Sequence, residues 1–353
     1  MKAVVFIGGE EVVRVVDVPK PQITDPEDIL VRVTLSSICG SDLHFIHVPN
    51  ILPQGNIMGH EFVGVVEEIG PAVTYVKPGD RIVASGGVFC GKCPACRNNL
   101  SIACKHFRIY GCGPNYGDLQ GVQAEYAVVK FANVTVEKIP DKLTDEDVFF
   151  VGDILSTAYM GATGMTPDGR GIKPGDVVAI FGAGPVGLCE LEIANRLLGP
   201  SKIIVVDRED YRLAVATRMG ADHVINAAKE DPAAAIMNIT NGLGADFVIE
   251  AIGNSEVFAE CCASVAFGGI VSSVGVFLQP VELPIHTLYV KNVCVQMGLA
   301  NVINMKKIIG LIEAGKLDLS PLITHRMPLT EARKAYEIFD KKLDGCIKVM
   351  LKS

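Results

Sequence analysis

Four cysteines crowd one short stretch, Cys90, Cys93, Cys96 and Cys104, in the spacing Cys-x2-Cys-x2-Cys-x7-Cys. Thiolates this close together, on a loop loosened by Gly91 and Pro94, can converge on one Zn²⁺ at about 2.3 Å each and fill a tetrahedral coordination sphere. A filled sphere leaves no position for water or substrate, so such an ion fastens a loop and chemistry belongs elsewhere. Two disulfides or a redox Cys-x-x-Cys are the alternative, but four ligands within fifteen positions match metal-site spacing far better.

The second chemical signal is Gly182-Ala183-Gly184-Pro185-Val186-Gly187, directly after the apolar run Val177 to Phe181 and opening a stretch of helical period. Alone, Gly-x-Gly-x-x-Gly is weak; a strand before, a helix after and an acid beyond are the context that gives it meaning. Gly182 permits the tight turn, Gly184 lets backbone approach a pyrophosphate, and Gly187 lets helix pack on strand. The helix N-terminus then offers N–H groups to the phosphates. Asp207, about 20 residues past Gly187, stands where a carboxylate accepts hydrogen bonds from an adenosine ribose. This favours NAD over NADP, although neighbouring Arg208 could serve a 2′-phosphate.

A third group lies outside both motifs: Cys39-Gly40-Ser41-Asp42-Leu43-His44, and Gly59-His60-Glu61. Taken alone, Cys39 fits a buried small hydrophobe as well as a ligand, and His60 a satisfied core histidine as well as a metal donor. Ser41 alone reads as a turn hydroxyl, His44 as a surface histidine and His47 as a structural residue.

The elements that must position these residues come in two textures. Up to about Lys138, short Val/Ile-rich runs broken by Gly and Pro (Ala3 to Ile7, Ile29 to Leu35, Glu61 to Ile69, Arg81 to Ala84, Ala124 to Val129) predict an all-β region. From Val177, apolar strands (Val177 to Phe181, Ile203 to Val206, Phe247 to Ile249, Ile270 to Val274) alternate with helical stretches such as Val186 to Leu198 and Tyr211 to Met219. That alternation predicts βαβ units and a parallel sheet covered on both faces. Helices are expected near Val302 to Glu313 and Leu329 to Phe339, and a last strand at Ile347 to Leu351.

A chain of 353 residues with 49% hydrophobic and 20% charged content can build two sizeable cores. A formal net charge of -8 disfavours nucleic acid and anionic membrane surfaces as partners. No apolar run reaches the length of a membrane span. Eleven cysteines, an odd number, and an N-terminus without signal-peptide features point to a reducing, cytoplasmic setting.

The conjunction of Cys-Gly-Ser-Asp-x-x-His, Gly-His-Glu, the four-cysteine loop and the Gly-x-Gly-x-x-Gly unit, in this order, resembles the zinc-dependent medium-chain alcohol dehydrogenases over essentially the whole chain. The resemblance implies an α/β protein: a GroES-like, mostly-β catalytic domain (1–153 and 298–353) and a Rossmann, doubly wound parallel-sheet coenzyme domain (154–297). It implies two Zn²⁺ per subunit, one catalytic and one structural, with NAD(H) as cofactor. Cys39 and His60 match catalytic zinc ligands. The third falls on Asp153, in Gly152-Asp153-Ile154-Leu155-Ser156-Thr157, where classical members have cysteine; this looks like the variant of bacterial secondary-alcohol dehydrogenases and of glutathione-independent formaldehyde dehydrogenases. Alternatively, Asp153 interacts with helix-terminal backbone. Cys39 thiolate, neutral His60 and Asp153 carboxylate sum to -2 and cancel the zinc charge.

Glu61 is similar to the family glutamate beside the metal, either exchanging into the coordination sphere or standing behind it. Ser41 and His44 resemble the proton relay that runs through the nicotinamide ribose. Thr157 resembles a threonine packing beside the nicotinamide, Arg212 a basic residue near the adenosine ribose, and Pro185, Val186, Val274, Gly275 and Val276 further cofactor contacts. Gly40 departs from members with a basic residue there, which puts pyrophosphate affinity in doubt. The reaction implied is reversible oxidation of an alcohol to an aldehyde or ketone in a dry cleft between the domains. Sorbitol-type relatives use an arginine in the late segment, whereas Gln296-Met297-Gly298-Leu299-Ala300-Asn301 has none. Simple primary or secondary alcohols are therefore favoured over polyol, vicinal-diol or L-threonine substrates. A formaldehyde dehydrogenase, and a catalytically silent nucleotide-binding structural or sensor protein, are the remaining readings. Relatives imply a homotetramer or a dimer. Cys112, Cys189, Cys261, Cys262, Cys294 and Cys346 match no ligand pattern.

Overall fold

The computed structural model describes residues 1–9, 11–49, 51–165, 169–299 and 301–353. The chain forms two compact units: Met1–Ser156 with Asn301–Gly315 and Ser320–Ser353, and Thr157–Ala300 with Lys316–Leu319. The breaks expected after 153 and 297 lie three residues earlier than these, and the short return of 316–319 to the second unit has no sequence signal.

In the first unit a seven-stranded sheet is centred on Ile29–Ser37, which pairs antiparallel with Phe62–Ile69, Tyr126–Val129 and Lys348–Lys352. Arg81–Ala84 and Val136–Lys138 extend one side, and Ile323–Pro328 lies parallel to Lys348–Lys352 on the other. One core cluster, including Ile29, Val31, Phe62, Val66 and Ile82, uses the alternate positions of these strands. A second joins Val4, Ile38, Met58 and Leu351 to the helix Ala332–Asp340. That helix buries Ala332, Ala335, Tyr336 and Phe339, the i, i+3, i+4, i+7 stripe that faces a core.

The second unit holds a six-stranded, all-parallel sheet. Its order is His223–Asn226, Lys202–Asp207, Val177–Phe181, Ala245–Glu250, Val265–Ser273, Cys294–Met297. The chain starts in the middle, winds outward, then returns to wind the other way, which is the doubly wound order of dinucleotide-binding sheets. Among the described residues no helix is long and apolar enough to cross a membrane.

Several elements depart from the periodicity. Val265–Ser273 begins five residues before the expected Ile270 and ends before Val274, because Gly268 and Gly269 interrupt the apolar run where the pairing with Ala245–Glu250 shifts register. The helix after the glycine turn is regular over Pro185–Ile193 and widens to a π-helix over Ala194–Leu198. The short strands Val13–Asp17, Val136–Lys138, His223–Asn226 and Ile323–Pro328 carry too few apolar positions to announce themselves.

Candidate metal centres and nucleotide-binding segment

The four-cysteine loop closes on itself. Cys93 is the N-cap of a four-residue helix, Pro94–Arg97, which brings the Cys93 and Cys96 sulfurs to 3.5 Å. A short 3₁₀ turn, Ser101–Ala103, returns the chain so that Cys104 Sγ lies 3.6 Å from Cys90 Sγ. Gly91 has φ +68°, and a Cβ there would stand 2.7 Å from Val134, so only glycine turns the chain this way. All four sulfurs lie within 4.8 Å of one another. Ligand atoms about 2.3 Å from a tetrahedral centre are separated by roughly 3.7 Å, so the set fits Zn²⁺. The N–H of Cys96, above all, pulls the Cys93 thiol down to about 6, which prepares a thiolate ligand.

The second set is assembled from distant parts of the chain. Cys39 lies two residues past the central strand and is the N-cap of the helix Gly40–His47. His60 follows Gly59, whose φ of +84° turns the chain into the strand Phe62–Ile69. Asp153 follows Gly152, where a Cβ would meet the Ala84 carbonyl oxygen at 2.1 Å; the missing side chain lets this segment press against the strand Arg81–Ala84. Asp153 Oδ2 lies 3.7 Å from Cys39 Sγ and 3.5 Å from His60 Nε2, and the three donors fall within 4.8 Å of one another. These separations again fit ligands converging on a tetrahedral ion. Three donors would leave a fourth position of a tetrahedral ion open, which distinguishes this set from the cysteine loop.

Charges behind the triad are paired. Asp42 Oδ1 faces His60 Nδ1 at 3.4 Å. Burial opposes a charge on His60, yet Asp42, and then Asp153, hold its pKa well above the ordinary histidine range. Glu61 is 1% exposed, and its Oε2 accepts from the Ser37 hydroxyl and from the fully buried ammonium of Lys348. Burial would push Lys348 down, but the Glu61 carboxylate outweighs it and keeps the ammonium charged. Glu61 stands outside the Cys39, His60 and Asp153 set.

Ser41 Oγ lies 3.2 Å from His60 Nε2, on the side of the ring that faces Asp153. His44 is three residues on along the same helix, where residues share a face. Burial, and then His47, press its pKa below the ordinary histidine value. His47 pairs instead with Asp340 at 2.9 Å.

In the second unit, Gly182 has φ +108°, and a Cβ on Gly187 would sit 1.8 Å from the Gly182 carbonyl oxygen. Both glycines are therefore obligatory. Gly184 is the N-cap, with Pro185 and Val186 opening the helix. Asp207 ends its strand, and its Oδ2 accepts from Ala183 N at 2.7 Å, while Oδ1 accepts from the N–H groups of Arg208 and Glu209. The carboxylate thus ties the glycine turn to the neighbouring strand and, with about four lone-pair sites, keeps capacity for a ribose hydroxyl. An Arg212 Nη1 lies 3.6 Å from where a Gly184 Cβ would stand. Val274 and Gly275 both donate their N–H groups to the Glu250 carbonyl, and Val276 packs against Gly253. Thr157 is half-buried. In the late segment Gln296 donates to the Arg170 carbonyl, and Ala300 lies outside the described residues.

Residues that sequence reasoning passed over are Ser37, Asp42, Cys112, Gln123, Tyr336 and Lys348. Asp42 had a signal, since an acid three residues after an N-cap reaches back to it, as its Oδ2 does to Cys39 N at 3.0 Å. Cys112 was set aside as a spare thiol, yet it is buried beside the His60 imidazole.

Comparison with known proteins places this geometry. Residues 25–141 match the alcohol dehydrogenase GroES-like domain, and residues 185–313 match the zinc-binding dehydrogenase domain. An alcohol dehydrogenase of Cupriavidus necator is 34% identical, covering 100% of this chain and 98% of the relative. An L-threonine 3-dehydrogenase of Bacillus licheniformis is 33% identical, over 99% and 98%. The solved alcohol dehydrogenase TADH from Thermus sp. ATN1 superposes with a TM-score of 0.92 at 42% identity, covering 100% of this chain and 99% of its own. Two further solved relatives, from Escherichia coli and Sinorhizobium meliloti, were determined with NADH and with NADP. A GroES-like unit with an open metal triad and a doubly wound nucleotide sheet define a zinc- and nicotinamide-dependent oxidoreductase. The chain belongs to the zinc-dependent medium-chain alcohol dehydrogenase family.

Proposed function

We propose that this protein reversibly oxidises simple primary or secondary alcohols to aldehydes or ketones with NAD(H), using one catalytic and one structural zinc per chain. The observation that carries this is the convergence of Cys39, His60 and Asp153, one thiol, one imidazole and one carboxylate with a fourth position open. Zinc held there would supply Lewis-acid polarisation of the substrate oxygen, and a bound nicotinamide would supply the hydride chemistry. The chain's own residues do the rest. Ser41, on the metal-facing side of His60, takes the hydroxyl proton, and His44 passes it to solvent; the depressed pKa keeps His44 neutral and able to accept. Lys348 and Ser37 hold Glu61 behind Asp153, so that it shapes the field at the triad.

Gly182, Gly184, Pro185, Val186 and Gly187 bind the pyrophosphate, with Asp207, Arg208 and Arg212 toward the adenosine ribose. Thr157, Val274, Gly275 and Val276 lie toward the nicotinamide. Asp207 supports NAD over NADP, because a 2′-phosphate would bring like charge against it. The catalytic domain takes 1–153 and 298–353, the coenzyme domain 154–297, and the protein works as a cytoplasmic homotetramer. A second reading is L-threonine 3-dehydrogenase, favoured by the Bacillus licheniformis relative. Side-by-side kcat/KM on 2-propanol, 1-butanol, 2,3-butanediol, sorbitol and L-threonine separates the two. The simple alcohols should lead, and a dominant rate on L-threonine or sorbitol overturns the proposed substrate class.

A further inference from the structure

Behind the triad, a chain of polar contacts reaches from His60 to the helix Ala332–Asp340: a charge contact from His60 to Asp42, then hydrogen bonds from Asp42 onward. His60 points Nε2 toward Asp153 and leaves Nδ1 facing Asp42 Oδ1 at 3.4 Å. Asp42 is fully buried, so its other oxygen needs donors. Oδ2 takes the Cys39 N–H at 3.0 Å and the side-chain amide of Gln123 at 3.4 Å. Gln123 is also fully buried, and the same amide nitrogen donates to the Ser37 carbonyl at 2.8 Å. Both amide hydrogens therefore face acceptors, and the Gln123 Oε1 accepts the Tyr336 phenol at 2.9 Å.

This chain can run in only one direction. Turning the Gln123 amide over would set its oxygen against a carboxylate and a carbonyl, two acceptors with no proton to share. The phenol must therefore donate, Oε1 must accept, and the amide must present its hydrogens to Asp42. Packing holds the side chain in place. A Cβ on Gly59, the residue before His60, would stand 2.5 Å from Gln123 Cγ, so the glutamine lies directly on the backbone that leads into the histidine. Tyr336 sits on the buried stripe of the helix Ala332–Asp340, 213 positions from Gln123.

We infer that Gln123 and Tyr336 are positioning residues for the open metal triad: they fix the Asp42 carboxylate, and through it the ring of His60, so that Nε2 points at the place shared with Cys39 and Asp153. A metal-binding imidazole whose outer nitrogen is held by a carboxylate is oriented and made a better donor. Here the carboxylate is itself held by an amide that a phenol locks. This inference rests on the reading of Cys39, His60 and Asp153 as zinc ligands.

The test measures zinc rather than turnover. The unaltered protein should carry two zinc ions per chain and release them to a chromophoric chelator in a fast and a slow phase, with Cys93→Ser abolishing the slow one. Gln123→Glu keeps the size that Gly59 requires but replaces a donor with a charge facing Asp42; it should speed the fast phase by roughly 10- to 100-fold, the range found for groups that orient metal ligands. Tyr336→Phe removes one oxygen, should speed the same phase by less, and should shift the visible bands of the cobalt-substituted protein. The slow phase should not change in either variant. Added to Asp42→Asn, Tyr336→Phe should accelerate release no further, since both act through one carboxylate. If Gln123→Glu does not fold, Tyr336→Phe decides the matter alone. Unchanged fast release in Tyr336→Phe, even with a lowered Tm, reduces the phenol to core packing and overturns the inference. An unaltered protein that binds one zinc and loses it in Cys93→Ser overturns both the inference and the triad on which it rests.

Discussion

The two groups of side chains that could hold a metal ion are assembled in opposite ways. The four cysteines lie within one loop, and the Cys90 and Cys104 sulfurs that meet at 3.6 Å are 14 positions apart. The triad draws on a helix N-cap, a turn and the residue between the 3₁₀ turn Phe149–Gly152 and the helix Ile154–Thr163, with Cys39 and Asp153 separated by 114 positions. Short loops bring ligands together at small entropic cost, so the cysteine set needs little beyond its own turns. The triad needs a folded sheet to hold it, and around it the chain buries charges that a loop could not support: Glu61 with Lys348, and Asp42 with Gln123. A site that fastens a loop can be built locally. A site that must keep a vacant position needs rigid support from outside.

That contrast can be broken or sharpened by experiment. The largest effect is expected from Asp153→Ala, which deletes a triad ligand. Lewis-acid stabilisation is worth several kcal/mol, so turnover should fall by about 10³-fold or more, while calorimetry still detects NAD binding and the slow zinc remains; preserved turnover would remove Asp153 from the site. Lys348→Met should come next, because it leaves Glu61 buried without its counter-charge. Breaking such a pair costs about 3–5 kcal/mol, to be read from urea unfolding, and a change near zero would mean that Glu61 is neutral in the fold. Cys93→Ser should lose one zinc and lower Tm, yet the folded fraction should keep most of its kcat; a kcat that collapses with that ion would erase the distinction between the two centres.

In the nucleotide segment, Asp207→Ser should raise kcat/KM with NADP relative to NAD. A native preference for NADP of tenfold or more would refute the role given to Asp207. The smallest effect concerns pH. Burial, and then His47, depress the His44 pKa, and alcohol oxidation needs the neutral ring, so kcat/KM should be flat near neutrality and fall only as pH drops through that depressed value. His44→Gln should abolish this acid limb; an unchanged profile would exclude His44 from the relay.

How much of this was legible follows from the range of the interactions. The strands Arg81–Ala84 and Val177–Phe181 coincide with their apolar runs, because shortness, β-branched residues and flanking turn residues favour a strand over a buried helix. The glycine turn was equally clear, since positive φ at Gly182 and the contact at Gly187 tolerate no other residue. Short edge strands such as His223–Asn226 were silent: pairing with a neighbour, rather than their own pattern, makes them strands. The roles of Gln123, Tyr336 and Lys348 were silent for the same reason. Each is an ordinary residue type whose partner lies more than eighty positions away.

Residue identity and spacing alone marked the four-cysteine loop, the glycine turn and two kinds of sheet, whereas Cys39, His60 and Asp153 were singled out only by resemblance. Folding decided which groups stand behind those three residues. It aimed Asp42 at His60, locked Gln123 between a phenol and a carboxylate, and sank Lys348 against Glu61. Ligand chemistry belongs to the side chain and survives in the sequence, whereas desolvation and hydrogen-bond direction exist only once distant segments exclude water from one another.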